Sequence, residues 1–563
     1  MNRRDWLKTS AAATLAAVPT ARALASHGTR AEKRAGWVSG EMTGAQALAE
    51  ALRLDGVACI FGIPGAQDNE LWDTLKSKGV PYMLVAHEFS AACMADGYAR
   101  STGRPGVICT VPGPGLTNAL TGIGEALLDS IPMVCIVCDV ARGDKYKWFQ
   151  VHELPQVGLL GQVTKEIYPV QHQAEIPGAV RQALALAASG EPGPVGVVVP
   201  YPFLIATHKY HVPPPEPIGL PFDAEAVSAA VRLLSNRKLR AGLFVGLGCM
   251  DYGGDLVRVA EMLQAPVATS VSGKGAIAET HGLAVGWGYG PQGTRTAETV
   301  FKDVDVVVAI GVRYSEVSTG FYAIPKTPHL TQVDANANNL GRVVKPDVCV
   351  HADAGLFFAE LLKNEGCLRR PCRPKLAERI QALKCDERKL NYKKYATCGV
   401  DPMQLILSLR RCSCEDALLF VDVTLTEHWA AEAYTTIQAR TYFNPTNNQA
   451  MGWSIPAAQG AQRVHPGRQV MTVTGDGCFL MSAMEISTAA RESLPVKFFV
   501  LDDQAFHFMQ AIQKPAYVRT TATILARLDY AALAKGFGVS FQEILSNDDR
   551  IFDDLSFDRR AHY

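Results

Sequence analysis

Neither sign of charge is in excess in this chain. Its 55 Lys and Arg stand against 55 Asp and Glu, for a formal net charge of zero at pH 7. That balance removes the electrostatic case for nucleic acid or an anionic membrane surface as a partner. An uninterrupted apolar run of roughly 18 or more residues is also lacking, so no membrane span is expected. Fourteen cysteines are present, yet no Cys-x-x-Cys pair is joined by histidines at zinc spacing. Cys412-Ser413-Cys414 has the wrong geometry for a metal or redox pair. Cys59, Cys109, Cys135, Cys138 and Cys249 sit in apolar runs, where a small buried thiol is the ordinary explanation, and few or no disulfides are expected. Gly246-Leu247-Gly248 and Gly311-Val312-Arg313 never complete Gly-x-Gly-x-x-Gly with an acidic ribose partner. A nicotinamide-dependent dehydrogenase is therefore a poor reading.

What is present is a globular composition, 48% apolar and 20% charged over 563 residues, long enough for three or four domains. Residues 1–35 read as a leader. Asn2-Arg3-Arg4-Asp5-Trp6-Leu7-Lys8, an Ala-rich apolar stretch from Ser10 to Val18, and Ala21-Arg22-Ala23 resemble a twin-arginine signal peptide with its cleavage site. Export of the folded protein to the periplasm is the expectation. After Gly40, helical and strand patterns alternate: Thr43–Leu54 as helix, Val57–Gly62 as strand, Asn69–Ser77 as helix, Tyr82–Ala86 as strand. That alternation predicts an α/β fold of three doubly wound domains. The first spans 40–210 and ends at a Pro-rich link near Val212–Pro217. The second spans 220–365, a polar helical connector covers 366–400, and the third, with a C-terminal tail, spans 401–563.

The most informative stretch runs from Val473 to Gln504. An apolar strand, Val470–Thr474, leads into Gly475-Asp476-Gly477-Cys478, where the flanking glycines let backbone approach a ligand. Helical character follows from Met481 to Arg491, then a second apolar strand, Val496–Leu501, ending in Asp502-Asp503. Two strand ends with acidic oxygens beside a helix N-terminus suit a hard cation and a diphosphate together. Asp502 follows Asp476 by 26 positions. This arrangement resembles the thiamine diphosphate motif of the acetolactate synthase and pyruvate decarboxylase superfamily, Gly-Asp-Gly and then Asn-Asn. The resemblance implies that Asp476, Asp502 and the Gln504 backbone carbonyl bind Mg²⁺, and that Gly475, Gly477 and Cys478 border the cofactor. Asp502-Asp503 stands where the family usually has Asn-Asn, which adds negative charge to the metal site.

A second region carries the same likeness. His87-Glu88, then Ala95-Asp96-Gly97-Tyr98-Ala99-Arg100, Gly113-Pro114-Gly115 with Asn118, and Asp129-Ser130-Ile131-Pro132-Met133 resemble the family's pyrimidine-binding domain. By that resemblance Glu88 bonds the aminopyrimidine ring and stabilises the tautomer whose nitrogen acts as base. Gly113 and Asn118 lie at the same site. Met451, before Gly452-Trp453, matches the residue that props the cofactor into its bent shape. Glu485 reads as structural. The family builds each site from two chains, so a homodimer or homotetramer is implied. Its central domain carries FAD in acetolactate synthases, which leaves FAD as a further candidate cofactor here.

The substrate positions depart from the family. Glu153 aligns with the Glu of a Phe-Gln-Glu motif, so Val151 and His152 replace its first two residues. Ile512 falls where a Trp is usual, His507 becomes a polar candidate near the reacting centre, and Ala66 leaves room for a donor. The expected activity makes or breaks the C–C bond next to the carbonyl of a 2-oxo acid, in the manner of acetolactate synthase carboligation. A 2-oxo acid decarboxylase, a 2-hydroxyacyl lyase and a non-catalytic cofactor-binding homologue are the alternatives.

Overall fold

Strands and helices alternate through most of the molecule, and the strands gather into three parallel sheets. The computed structural model describes residues 36–143, 145–394 and 399–547. The leader at 1–35 and the tail at 548–563 lie outside the described residues.

In the first domain the sheet runs Tyr82–Leu84, Ile60–Gly62, Gly106–Thr110, Met133–Asp139, Pro194–Pro200, Glu166–Pro169. Gly106–Thr110 and Met133–Asp139 are buried along their whole length, as strands covered on both faces must be. The third domain orders its strands Tyr442–Phe443, Leu418–Val421, Val470–Gly475, Lys497–Leu501. In both domains the second strand in the chain lies outside the first, and the third and fourth follow on the other side. The two ligand-binding ends are thus built on one topology, which no sequence repeat had revealed. The central sheet runs Ala284–Trp287, Val267–Thr269, Ala241–Val245, Val306–Ile310, His329–Asp334, Val348–His351. That is the doubly wound dinucleotide-fold order, reversing between its first and fourth strands.

Several boundaries differ from expectation for local reasons. Thr43 is an N-cap, not the first helical residue: its hydroxyl accepts the Gln46 N–H and the Gln46 side chain returns the bond. The strand before it, Val38–Thr43, pairs antiparallel with Thr207–Val212. Val57 is held at the helix end by its N–H to Leu52 (3.0 Å), so the next strand starts at Ile60. The helix expected from Met481 begins at Asp476, directly after the strand. The connector forms the helix Pro374–Lys394. All described cysteines are free thiols, and no helix among the described residues is long and apolar enough to cross a membrane.

First and third domains meet through Glu88–Thr102 and Ser454–Val464. A Cβ on Gly97 would collide with the Ala457 carbonyl, and one on Gly460 with the Met94 carbonyl, so only glycine permits this crossing. Asp96 accepts the Trp453 indole N–H (3.1 Å) across it, and Arg100 reaches Asp129 at 2.9 Å. Asp129 in turn accepts the N–H groups of Thr446 and Asn447. Asp96 and Arg100 of the Asp-Gly-Tyr-Ala-Arg run therefore lock domains together.

Candidate active site

Parallel sheets bind ligands beyond the carboxyl ends of their strands, where the strand order reverses. In the third domain that point lies between Leu418–Val421 and Val470–Gly475, which lead into Asp422 and Asp476. A cleft of about 2320 Å³ opens there, bordered by Thr424, Met451, Gly475, Asp476, Cys478 and His507 among others. In front of Gly475 a Cβ would meet only the Thr426 hydroxyl, at 3.9 Å, so backbone faces open space. At Gly477 a Cβ would collide with the Phe506 ring, which explains that glycine by packing.

Asp476 organises the acidic end. Its Oδ1 accepts the Gly477 N–H (2.7 Å) and its Oδ2 the Gln504 N–H (2.6 Å). Burial raises its pKa, and the charges of Asp503 and Asp502 add to the rise. Asp476 thus carries the electrostatic load of both neighbouring carboxylates, which a divalent cation would relieve. Asp502 accepts the Tyr530 hydroxyl (3.3 Å), and Asp503 lies 2.9 Å from His507 Nδ1. Gln504 has a left-handed backbone (φ 57°). Its carbonyl, expected to face a metal, accepts the Leu525 N–H at 2.8 Å, leaving one lone pair for any other partner.

Met451 is fixed by a residue that sequence reasoning missed. Fully buried Asp422 accepts the N–H groups of Gly452 (3.1 Å) and Ser454 (3.0 Å), one oxygen for each. Burial raises the Asp422 pKa, and the same cause raises the Cys478 thiol beside it. Gly452 has φ 83° and no room for a Cβ beside Met481. Thr424 was missed too: a β-branched residue at φ 76°, ψ −140°, it opens the helix Leu425–Ala433 at the cleft. Such strain concentrates at functional positions. The signal available was a strand, Leu418–Val421, ending in an acidic residue exactly as Val470–Gly475 does.

The first domain brings together the other expected residues. Glu88 is buried at the start of Glu88–Thr102, capped by His87. Its Oε2 accepts the Asn118 amide (3.0 Å), and no described residue is bonded to its Oε1. Nearby, His152 (φ 71°) presses on Gly113, whose missing Cβ would sit 3.0 Å from the His152 backbone. His152 Nδ1 lies 3.4 Å from the Gln67 side chain, next to Ala66. Gln156 ties the group, accepting the Gly113 N–H and donating to the His152 carbonyl. Gln67 and Gln156 were not legible as site residues.

Every residue bordering the Asp476 cleft lies between 400 and 545. The expected residues thus fall into two groups on this chain: Glu88 with Ala66, Gly113, Asn118 and His152, and Asp476 with Met451, Cys478, Asp502, Gln504 and His507. In the central domain the polar groups at the strand ends already have partners. Glu191 from the first domain accepts bonds from Arg313 (3.1 Å), Asn336 (2.6 Å), Asn339 (3.1 Å) and Ser130 (2.7 Å). Beside Leu247 the space is a hollow of about 10 Å³.

Comparison with known proteins agrees with this geometry. Residues 42–159 match the thiamine pyrophosphate enzyme N-terminal TPP binding domain, 227–361 the central domain, and 422–556 the C-terminal TPP binding domain. The acetolactate synthase large subunit of Parasynechococcus marenigrum is 33% identical over 90% of this chain and 84% of its own length. Isozyme 1 of Escherichia coli is 28% identical over 92% and 91%. Chloroplastic acetolactate synthase 1 of Zea mays is 31% identical over 88% and 80%. The chain belongs to the thiamine pyrophosphate-dependent enzymes of the acetolactate synthase-like family.

Proposed function

We propose that this enzyme carries out acetolactate synthase-like carboligation: it cleaves the bond beside the carbonyl of a 2-oxo acid and passes the acyl unit to a carbonyl acceptor. The observation that carries this is the cluster of Asp476, Asp502 and Asp503 at a strand-order reversal, beside an open Gly475 and a fixed Met451. Bound thiamine pyrophosphate supplies the electron sink for the cleavage. Asp476, with oxygens from Asp502 and Asp503 and the free lone pair of the Gln504 carbonyl, would hold Mg²⁺ against its diphosphate. Met451, anchored through Gly452 to Asp422, would hold it bent. Glu88 Oε1 would face the pyrimidine ring and hold a proton there, with Asn118 orienting the carboxyl.

Glu88 and Asp476 of different chains would complete one site, in a homodimer or homotetramer. The exposed apolar surface beside each half-site supports this: Trp148 (82%), Phe149 (100%) and Val151 (72%) in the first domain, Leu480, Met481 and Met484 in the third. Ala66, His152 and His507 would then border the substrate. FAD has no support from the central domain, where Arg313, Asn336 and Asn339 at the strand ends are bonded to Glu191.

Incubation with pyruvate, thiamine pyrophosphate and Mg²⁺ tests the reading. Release of CO₂ with formation of acetolactate supports it, and no CO₂ from any 2-oxo acid defeats it. A second reading, decarboxylase or 2-hydroxyacyl lyase, is favoured by His507. Paired with Asp503, its other ring nitrogen would deliver a proton to the product. Aldehyde in place of acetolactate would select that reading. Arg3-Arg4 and the following apolar stretch support export to the periplasm. Replacement of both arginines by lysine would leave the precursor in the cytoplasm, and unchanged export would refute the route.

A further inference from the structure

The helical run that begins at Asp476 is broken. Asp476–Ser482 ends at Ser482 (φ −143°), a 3-10 turn follows over Ala483–Glu485, and Ile486–Arg491 resumes the helix. A 3-10 stretch inside a helix often marks a functional hinge. At its near end the Ser482 hydroxyl donates to the Gly452 carbonyl (2.7 Å), next to Met451. At its far end Glu485, 1% exposed, accepts the Ala86 N–H on both carboxylate oxygens (3.0 and 3.2 Å). The Glu485 carbonyl is held by the Gln459 amide (3.0 Å). Ala86 lies two residues before Glu88, and its N–H is spent on Glu485, which is where the strand Tyr82–Leu84 has already ended.

We infer that Glu485 is a positioning residue for Glu88. Its carboxylate sets the turn from which the Glu88 helix starts, and so the direction in which Glu88 Oε1 faces. An N–H shared between the two oxygens of a buried side chain is fixed in direction, and a misplacement of about 1 Å at a reacting group costs about 100-fold in rate. Because the gripping run starts at Asp476, one chain links its own metal end to the Glu88 that serves the partner's site. This inference rests on the roles proposed above for Glu88 and Asp476.

The test compares Glu485→Ala and Glu485→Gln, since glutamine keeps a side-chain oxygen for the Ala86 N–H. Amide hydrogen exchange of the cofactor-free protein is followed over residues 84–92 and 475–482. Exchange of the C2 proton of bound thiamine pyrophosphate is followed by NMR, which needs no identified substrate. The expectation for Glu485→Ala is faster amide exchange over 84–92 and C2 exchange slowed roughly 10–100-fold. Thiamine pyrophosphate affinity with Mg²⁺, by calorimetry, should stay within about threefold, and Glu485→Gln should restore most of both losses. Unchanged amide exchange overturns the inference, as does wild-type C2 exchange, equal damage in both variants, or a parallel loss of affinity. If the alanine variant fails to fold, the glutamine variant decides: C2 exchange near wild type supports the role and a loss like that of Glu88→Gln refutes it. Glu88→Gln is also the separate control. Wild-type C2 exchange there would defeat the role of Glu88 itself, whatever Glu485 does.

Discussion

Asp476 Oδ2 accepts the Gln504 N–H at 2.6 Å and so ties the end of Val470–Gly475 to the turn after Lys497–Leu501. The turn it fixes carries Asp502 and Asp503, whose charges raise the Asp476 pKa. An amide oxygen can keep the Gln504 N–H but its NH2 would then face the Gly477 N–H, so Asp476→Asn should still fold, about 1 kcal/mol less stable. Its Mg²⁺-dependent affinity for thiamine pyrophosphate should fall at least roughly 10-fold, since even outer-shell partners of a metal are worth that much. Titration calorimetry at fixed Mg²⁺ checks it, and an unchanged affinity would remove Asp476 from the metal site.

The crossing of Glu88–Thr102 on Ser454–Val464 leaves no space for a side chain at Gly97 or Gly460. Gly460→Ala should cost roughly 1–3 kcal/mol through forced separation of the helices. Urea denaturation measures this, and a midpoint equal to wild type would mean that the crossing is looser than described.

Much of this was legible in the sequence. The alternation of apolar strands and helices gave the α/β class; Asp476 stood out as an acidic residue directly after a strand at a Gly-rich turn, and Glu88 as the acidic first residue of a helix. Asp422 follows a strand in the same way but lacks flanking glycines, so pattern alone does not single it out. Thr424 could not be read, because its strain is a property of φ and not of residue type. The roles of Gln67, Gln156 and Glu191 come from contacts between segments far apart in the chain, which pattern cannot show. Glu485 was read as structural, and only its bond to Ala86 gives it a direction.

Glu427 predicts the pH dependence of stability. Burial raises its pKa to about 8, with the charges of Asp129 and Asp422 adding and the Asn444 amide opposing. A carboxyl whose folded pKa lies above its unfolded value stabilises fully below the unfolded value and loses that contribution as pH rises toward about 8. Stability should therefore decline between about pH 5 and 8, by at most about 1.4 kcal/mol per pH unit for one proton. Glu427→Gln should flatten that slope. Urea midpoints across the range report it, and equal slopes in both proteins would contradict the protonated state.

Glu191 predicts the flavin content. With Arg313, Asn336 and Asn339 all bonded to its carboxylate, the purified protein should show no flavin absorption band, and added FAD should leave its melting temperature unchanged. A stoichiometric flavin would mean that this contact opens in solution.

Calorimetric binding of thiamine pyrophosphate to the wild-type protein, with and without Mg²⁺, tests the central claim most directly. Saturable binding that requires the metal is the predicted result. Binding indifferent to Mg²⁺, or no binding at all, would mean that Asp476, Asp502 and Asp503 do not hold a metal–diphosphate pair, and the account would be contradicted at its centre.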